Sequence, residues 1–492
     1  MMKTQTRFKL SESAALCLIV MTGVAFSDAA YAQGVAASTE QTAPALVQVT
    51  PATSSAGSPL VNKDIVLDGA ATPLAAPPSR TAGRLVPTPG VRTSPAAPTA
   101  RRYTAAAHVT ATAGALAELA LDLMRQQSGT SGNAQVNTVV SPFSLVSALG
   151  MVHAGTAAAG ARELAMLLGT ASAGDRIYTA RMPLLLDSLA KPGAAGSPFV
   201  IANRVWLDNG VAASVPPTYA ATVIDRFNAD AAIVPFKQAD AARKTINDWV
   251  SQKTAKRIAE LMPAGVLTPN TKMVVTNAIY FKSKWEQPFN PAFTVPKPFH
   301  SVPGGLAKSV PTMVDERQVR LGTIDNITVI ELPFAGNDFN LLVGVPPAGH
   351  TLNAFETDLE GLDIASWSTQ LKPTTCRLEM PKFSIDPVSK PLKENLQAMG
   401  VKTVFGPDAD FSPMLGKAAK GVSLDNVFQS ATVIIDEQGG EAAAATGASG
   451  SSKSFSMPAP ACAVDRPFIF AIVHRATGAP LFVGKVADPT LK

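Results

Sequence analysis

Five histidines, His108, His153, His300, His350 and His474, are all the imidazoles in this 492-residue chain, and their surroundings bound its chemistry. A hydrolase needs a nucleophile held against a base that a third group orients. None of the five lies in a nucleophile-elbow or HExxH pattern, and no CxxC pair offers the spacing of a zinc site. The chain is therefore not expected to be an enzyme or to hold a metal or other cofactor. Of the three cysteines, Cys17 falls in an N-terminal apolar run, which leaves Cys376 and Cys462 as an even pair. In an oxidising compartment a disulfide is open to them. One further segment has an unusual makeup: Glu437, Gln438, Gly439, Gly440, Glu441, Ala442, Ala443, Ala444, Ala445 and Thr446, then a Gly/Ala/Ser stretch to Ser452, Lys453 and Ser454. Small residues dominate it. Proline is absent from Asp436 to Met457, so every backbone N–H there is available to a β-ladder. By composition alone it reads as a solvated linker.

The elements that would position these residues begin after residue 105. Ala113 to Arg125 carries Leu116, Leu119, Ala120 and Leu123 at the spacing of one buried helical face. Thr245 to Met262 predicts another helix, with Ile246, Trp249, Val250 and Ile258 on one side and Pro263 and Gly265 as its stop. Runs rich in Val, Ile, Phe and Tyr predict strands at 272–281, 328–332, 340–345, 432–435, 468–474 and 480–486. Helices and long strands without regular βα alternation point to an α+β domain.

With 46% hydrophobic and 16% charged residues, the chain can bury a large core. Its net charge of +5 lies mostly outside that domain: residues 1–32 carry +1 and residues 33–105 carry +3, so about +1 remains. That distribution excludes a nucleic-acid surface as the meaning of the basic pI. The first 32 residues combine a basic start, an apolar run from Ala14 to Phe26 and Ala30-Tyr31-Ala32 before Gln33. This is the layout of an export signal cleaved after Ala32, giving a secreted or periplasmic protein. Residues 33–105, rich in Ala, Pro, Thr and Ser without periodicity, are expected to be a disordered tether. Residues 106–492 form the folded domain on this reading, and no later stretch is long and apolar enough for stable membrane insertion.

Seven separated segments, in order, resemble the serpin family. They are Asn137-Thr138-Val139-Val140-Ser141-Pro142-Phe143-Ser144; Ile246-Asn247-Asp248-Trp249-Val250; and Thr276-Asn277-Ala278-Ile279-Tyr280-Phe281-Lys282-Ser283-Lys284-Trp285. Glu331-Leu332-Pro333-Phe334 and Met380-Pro381-Lys382-Phe383 follow, and Arg466-Pro467-Phe468-Ile469-Phe470 and Leu481-Phe482-Val483-Gly484-Lys485-Val486 close the series. The resemblance implies three β-sheets, about nine helices and an exposed reactive-centre loop near the C-terminus. It also implies function: a serine-protease inhibitor that is cut once as a suicide substrate and traps the protease as an acyl-enzyme while the cut loop enters the central sheet. The rival within the family is a non-inhibitory serpin acting as substrate, carrier or chaperone.

Position now changes the reading of the small-residue segment, since it lies where the family has its loop. Glu437 through Thr446 become the hinge, where small side chains allow entry between strands. Counting seventeen residues in the family's manner from Glu437 puts the reactive bond at Lys453-Ser454, and a lysine there implies a trypsin-like protease as partner in a covalent complex; a slipped register would instead offer Phe455 or Met457 to a chymotrypsin-like or elastase-like enzyme. Ser141, Ser144 and Asn277 match the shutter beneath the parting strands, where Gln429 stands in place of the histidine of many members. Trp285 matches the breach, where insertion begins. The family places the segments of Cys376 and Cys462 on neighbouring strands, which implies a disulfide pinning the strand after the loop. The stretch that binds heparin in some members offers only Arg162, Arg176 and Arg181 against Glu163, Asp175 and Asp187, so no heparin dependence is expected. The protein is expected to act as a monomer.

Overall fold

In the computed structural model, the described residues are 105–129, 136–168, 199–212, 215–227, 229–350, 363–387, 389–440 and 459–491. The expected export signal, nearly all of the tether, and the loop residues Glu441, Ala442, Ala443, Ala444, Ala445, Thr446, Lys453 and Ser454 lie outside them.

The helices among the described residues are α1 (Ala105–Gly129), α2 (Pro142–Gly155), α3 (Ala158–Leu167), α4 (Asn209–Ala212) and α5 (Pro217–Phe227). Next come α6 (Ala239–Lys253), α7 (Trp367–Gln370), α8 (Lys393–Ala398) and α9 (Ser412–Leu415). The strands start with β1 (Thr138–Val140), β2 (Phe199–Asp208), β3 (Asp230–Val234), β4 (Met273–Phe281), β5 (Ser283–Lys284) and β6 (Thr294–Phe299). They continue with β7 (Lys308–Ile324), β8 (Ile327–Pro333), β9 (Phe339–Val345), β10 (Lys372–Pro381), β11 (Phe383–Ile385) and β12 (Lys390–Pro391). The last five are β13 (Asn426–Asp436), β14 (Gly439–Gly440), β15 (Ala461–Ala463), β16 (Phe468–His474) and β17 (Pro480–Val486). Mixed sheets with helices around them make an α+β architecture, as expected.

The helix expected over 245–262 is α6, shifted toward the N-terminus and ending at Lys253. Thr254 ends it: its hydroxyl donates back to the Val250 carbonyl (2.8 Å) and accepts from the Ile258 amide (3.2 Å). Ala255 and Lys256 then take positive φ of 49° and 66°. The chain folds back along the helix because Asn247 Oδ1 accepts from the amides of Leu261 and Met262 at 3.0 and 2.8 Å. Ile258 is still fully buried, but from a turn and not from a helical face.

Three expected sheets appear as two hydrogen-bonded networks, because the 17-residue β7 pairs in turn with β6, β10 and β8 and joins two of them. The first network runs β1-β17-β16-β9-β8-β7-β10-β15. The second, central sheet runs β3-β2-β4-β13, with β11 and β12 also on β13 and the short β14 and β5 at one end. Within it β2 and β4 are antiparallel, but β4 and β13 are parallel, in register from Val274 opposite Asn426 to Tyr280 opposite Thr432.

Strand alternation divides the residues of the central sheet between two apolar layers. Met273, Val275, Ile279 and Phe281 of β4 join the main core with α1 and α2, while Val274 and Ala278 face a smaller cluster built on Ile246 and Val250 of α6. Asn277 shares the parity of the first set. A polar residue is thus sent toward the main core at the centre of the sheet.

Candidate functional site

Ser141 caps α2, with Pro142 at the first helical position, and its hydroxyl accepts from the Ser144 amide at 3.2 Å. The Ser141 hydroxyl also donates to the Leu481 carbonyl at 2.6 Å, which ties the helix start to β17. One turn in, Ser144 points its hydroxyl at the sheet. Above it, strand register aligns three amides in a row: Asn203 of β2 opposite Asn277 of β4, and Asn277 opposite Gln429 of β13. Asn277 Nδ2 donates to Asn203 Oδ1 at 2.6 Å and to Ser144 Oγ. Gln429 Nε2 donates to Asn277 Oδ1 at 2.7 Å and to the Ser141 carbonyl at 3.1 Å. All five side chains are buried, and buried polar groups need such partners.

The structure thus gathers Ser141, Ser144, Asn277 and Gln429 into one network. Asn203 belongs to it as well and was missed. Its signal was a lone amide in Ile201-Ala202-Asn203-Arg204-Val205-Trp206, a run otherwise apolar except for Arg204. Gln429 supplies the bond that crosses from β13 to β4, so separating these two strands breaks it.

At the other end of the parallel pair, β13 stops at Asp436, whose carboxylate accepts from the amides of Gln438 and Gly439 at 2.8 and 3.2 Å. The chain reverses there, and Gly439 and Gly440 form β14, antiparallel both to β13 and to β5, the continuation of β4. The first two residues leading into the loop are therefore already seated between the strands. Only glycine fits. Gly439 has φ of 140°, and a Cβ on it would lie 2.2 Å from the Ser283 carbonyl oxygen. A Cβ on Gly440 would lie 2.7 Å from the Phe281 ring.

Trp285 frames this entry. It stacks on Phe334 with centroids 4.5 Å apart, meets Phe289 edge-on at 6.2 Å, and donates from its indole nitrogen to the Asp436 carbonyl at 2.8 Å. Its backbone amide donates to the Gln438 carbonyl, also at 2.8 Å. Glu437 is held by the Lys382 ammonium at 2.8 Å and the Thr294 hydroxyl at 2.7 Å. Burial pushes this carboxyl up, but those two groups and a backbone amide outweigh it and hold the pKa below the ordinary carboxylate range. Lys382 and Thr294 also escaped the sequence reading.

Cys376 of β10 and Cys462 of β15 are bonded, with Cα atoms 6.0 Å apart. The two strands run parallel, Leu378 opposite Cys462, at the edge of the first sheet. Of the heparin-stretch residues, Arg162 and Glu163 lie on α3, where Glu163 accepts from the backbone amides of Lys402 and Thr403, both at 2.7 Å. Arg176, Arg181, Asp175 and Asp187 lie outside the described residues. Among the described residues no three His, Cys, Asp or Glu side chains gather as a metal site, and no helix is long and apolar enough to cross a membrane.

Comparison with known proteins matches this arrangement. A family model described as serpin (serine protease inhibitor) covers residues 114–489. The chain is 32% identical over 373 residues to the leukocyte elastase inhibitor of Bos taurus, spanning 73% of this chain and 95% of that protein. It is 31% identical to Serpin-Z2A of Oryza sativa subsp. japonica, over 77% of this chain and 97% of that one. Among solved structures, human thyroxine-binding globulin superposes with a TM-score of 0.68 at 25% identity, covering 78% of this chain and all of the other. Mouse protein-Z dependent protease inhibitor superposes at 0.66 with 23% identity, covering 78% and 98%, a likeness of fold alone. The chain belongs to the serpin family.

Proposed function

We propose that this protein inhibits a trypsin-like serine protease as a suicide substrate. The protease serine attacks the Lys453 carbonyl, the amine of Ser454 departs, and an ester joins Lys453 to the enzyme. The freed chain then enters between β4 and β13 as an antiparallel strand and carries the protease with it, before water reaches the ester. Each ladder hydrogen bond is worth roughly 0.5–1.5 kcal/mol net, and the entering strand makes two ladders in place of the single β4–β13 ladder that it parts.

One observation carries the reading. In an otherwise largely antiparallel neighbourhood β4 and β13 are parallel, and a strand antiparallel to both already starts between their ends as Gly439–Gly440. Such a slot accepts more strand without any reversal of what is present. The sequence of Ala442, Ala443, Ala444, Ala445 and Thr446 supports continued entry, since none of these side chains is bulky. The inhibitors among the relatives support the class of activity. Glu441 is the charged exception in the hinge.

A non-inhibitory carrier is the second reading, favoured by the likeness to thyroxine-binding globulin, a structure complexed with thyroxine. Export through a leader cleaved after Ala32 fits the Cys376–Cys462 bond, which needs an oxidising compartment. The mature protein is a monomer on this account, tethered by residues 33–105, without nucleic acid, stable membrane insertion or heparin dependence.

Incubation with trypsin tests the reading. An SDS-stable complex should form, with a released peptide that begins at Ser454, and Lys453→Glu should abolish it. Clean cleavage without any complex would favour the carrier.

A further inference from the structure

Glu441 is the one charge among the small residues between Gly440 and Lys453, and the strand register fixes where it would arrive if that segment entered the sheet. β14 sets Gly440 opposite Ile435 of β13 on one side and Ser283 of β5 on the other. Extended by one residue, both ladders bring Glu441 into the row of Ile434 and Lys282. The two ladders stay in step further along. β4 and β13 face each other without a slip from Val274 opposite Asn426 to Tyr280 opposite Thr432, and each ladder calls for the same residue, Ala443, between Tyr280 and Thr432.

On this register the other side chains suit their places. Ala442 comes between Phe281 and Val433, and Ala444 between Ile279 and Ala431, four residues that are all buried. Thr446, the first hydroxyl after the glycines, comes between Asn277 and Gln429 of the amide row. Alternation sends Glu441 to the opposite face. There Lys282 and Lys284 are exposed, while Ile434 and Ser384, which lie opposite each other, are half-buried. Neither lysine enters an ion pair among the described residues, so both ammoniums are open to a carboxylate.

We propose that Lys282, with Lys284 on the diagonal, receives the Glu441 carboxylate as the cut loop enters, and that this cross-strand pair holds the entering strand in register. The inference rests on the inhibitor reading and adds to it a reason for a charge in the hinge. Directly opposed residues bring their β-carbons to about 5 Å, within reach of an ammonium and a carboxylate. A slip of one residue would instead turn Glu441 into the buried row of Phe281 and Val433, where an unpaired charge is costly. Glu441 is the first side chain behind the two glycines. The pair therefore forms at the start of entry, while trapping still competes with hydrolysis of the ester.

A double-mutant cycle tests it. Trypsin is mixed with the full chain, with Lys282→Glu, with Glu441→Gln and with the double variant, and the ratio of cut inhibitor to covalent complex is read from a denaturing gel. Lys282 is exposed, so the fold tolerates the change. Lys282→Glu sets two carboxylates opposite each other, and the ratio should rise about threefold while the rate of cutting at Lys453 stays the same. In the Glu441→Gln background the same change should have no effect, because no charge arrives to be repelled. No rise with Lys282→Glu, or an equal rise in the Glu441→Gln background, would overturn the pairing and leave the inhibitor reading intact. Absence of complex with the unaltered protein would instead remove the inhibitor reading, and the pairing with it.

Discussion

Gln429 does two things at once: it satisfies the Asn277 carbonyl oxygen and fastens β13 to β4. Replacing it with alanine leaves that oxygen buried without a donor, which costs about 1–3 kcal/mol. Gln429→Ala should lower the melting temperature by a few degrees and speed the loss of inhibitory capacity on warm incubation. An unchanged midpoint and half-life would contradict the role given to the amide row. An amide does not titrate, but a neighbour does. Lys390 lies opposite Gln429 on β12, with its ammonium on Gln127 at 2.6 Å, and burial, then the nearby Lys485, push its pKa down to about 8. Below that value both folded and unfolded chains are protonated, and the cost of the buried charge is fully present. Between about 8 and the unfolded value near 10.4 only the unfolded chain keeps the proton, so this group makes stability rise with pH across that window. Lys390→Met should remove that rise from a series of melting curves taken between pH 7 and 10.5.

The hinge and the strand after the loop are the elements on which the account depends. Gly440 faces the Phe281 ring with no room for a side chain, so Gly440→Leu should displace β14 and block the slot at its mouth. Trypsin should still cut at Lys453, but the product should shift from complex to cleaved inhibitor on a denaturing gel. At the far end of the loop, β15 pairs with β10 over only three residues and is tied to it by Cys376–Cys462. An uncut loop can enter the sheet only if β15 peels away, so the bond should slow spontaneous inactivation and leave inhibition untouched. With the cysteines 86 positions apart in sequence, the cross-link is worth on the order of 4–5 kcal/mol by the chain-entropy estimate. Cys462→Ser should inactivate faster on storage at the same initial rate of complex formation; two free thiols by intact mass in the native protein would remove the premise.

The same elements mark what could be read from residues alone. β16 and β17 matched their apolar runs because both are buried along their whole length. Of β13 only the apolar end at 432–435 stood out, since Asn426, Gln429 and Ser430 interrupt its first half and are tolerated through pairing with β4 and the amide row. The end of α6 was missed because Asn247 draws the following segment back by tertiary hydrogen bonds that leave no local pattern. The roles of Lys382 and Thr294 went unread for the same reason: each matters through Glu437, a partner far away in the chain.

At the scale of the molecule, the central sheet is closed between β4 and β13, yet begun as a wider sheet at Gly439–Gly440. On the proposed mechanism the same chain has a second arrangement, in which the segment after Gly440 becomes a full strand. On that mechanism the two differ by two ladders formed along the edges of that strand against the one β4–β13 ladder that is broken, and cutting at Lys453 removes the constraint. Partition of the cut molecule between trapping and release then depends on how fast the strand enters. Ala442 is the position at which this can be slowed without touching the bond that is cut. The most direct measurement is therefore the reaction of Ala442→Arg with trypsin, followed by denaturing gel and mass spectrometry. The account predicts cleavage at Lys453-Ser454 at the normal rate with little or no covalent complex, and complex formation as high as in the unaltered protein would contradict strand insertion as the mechanism.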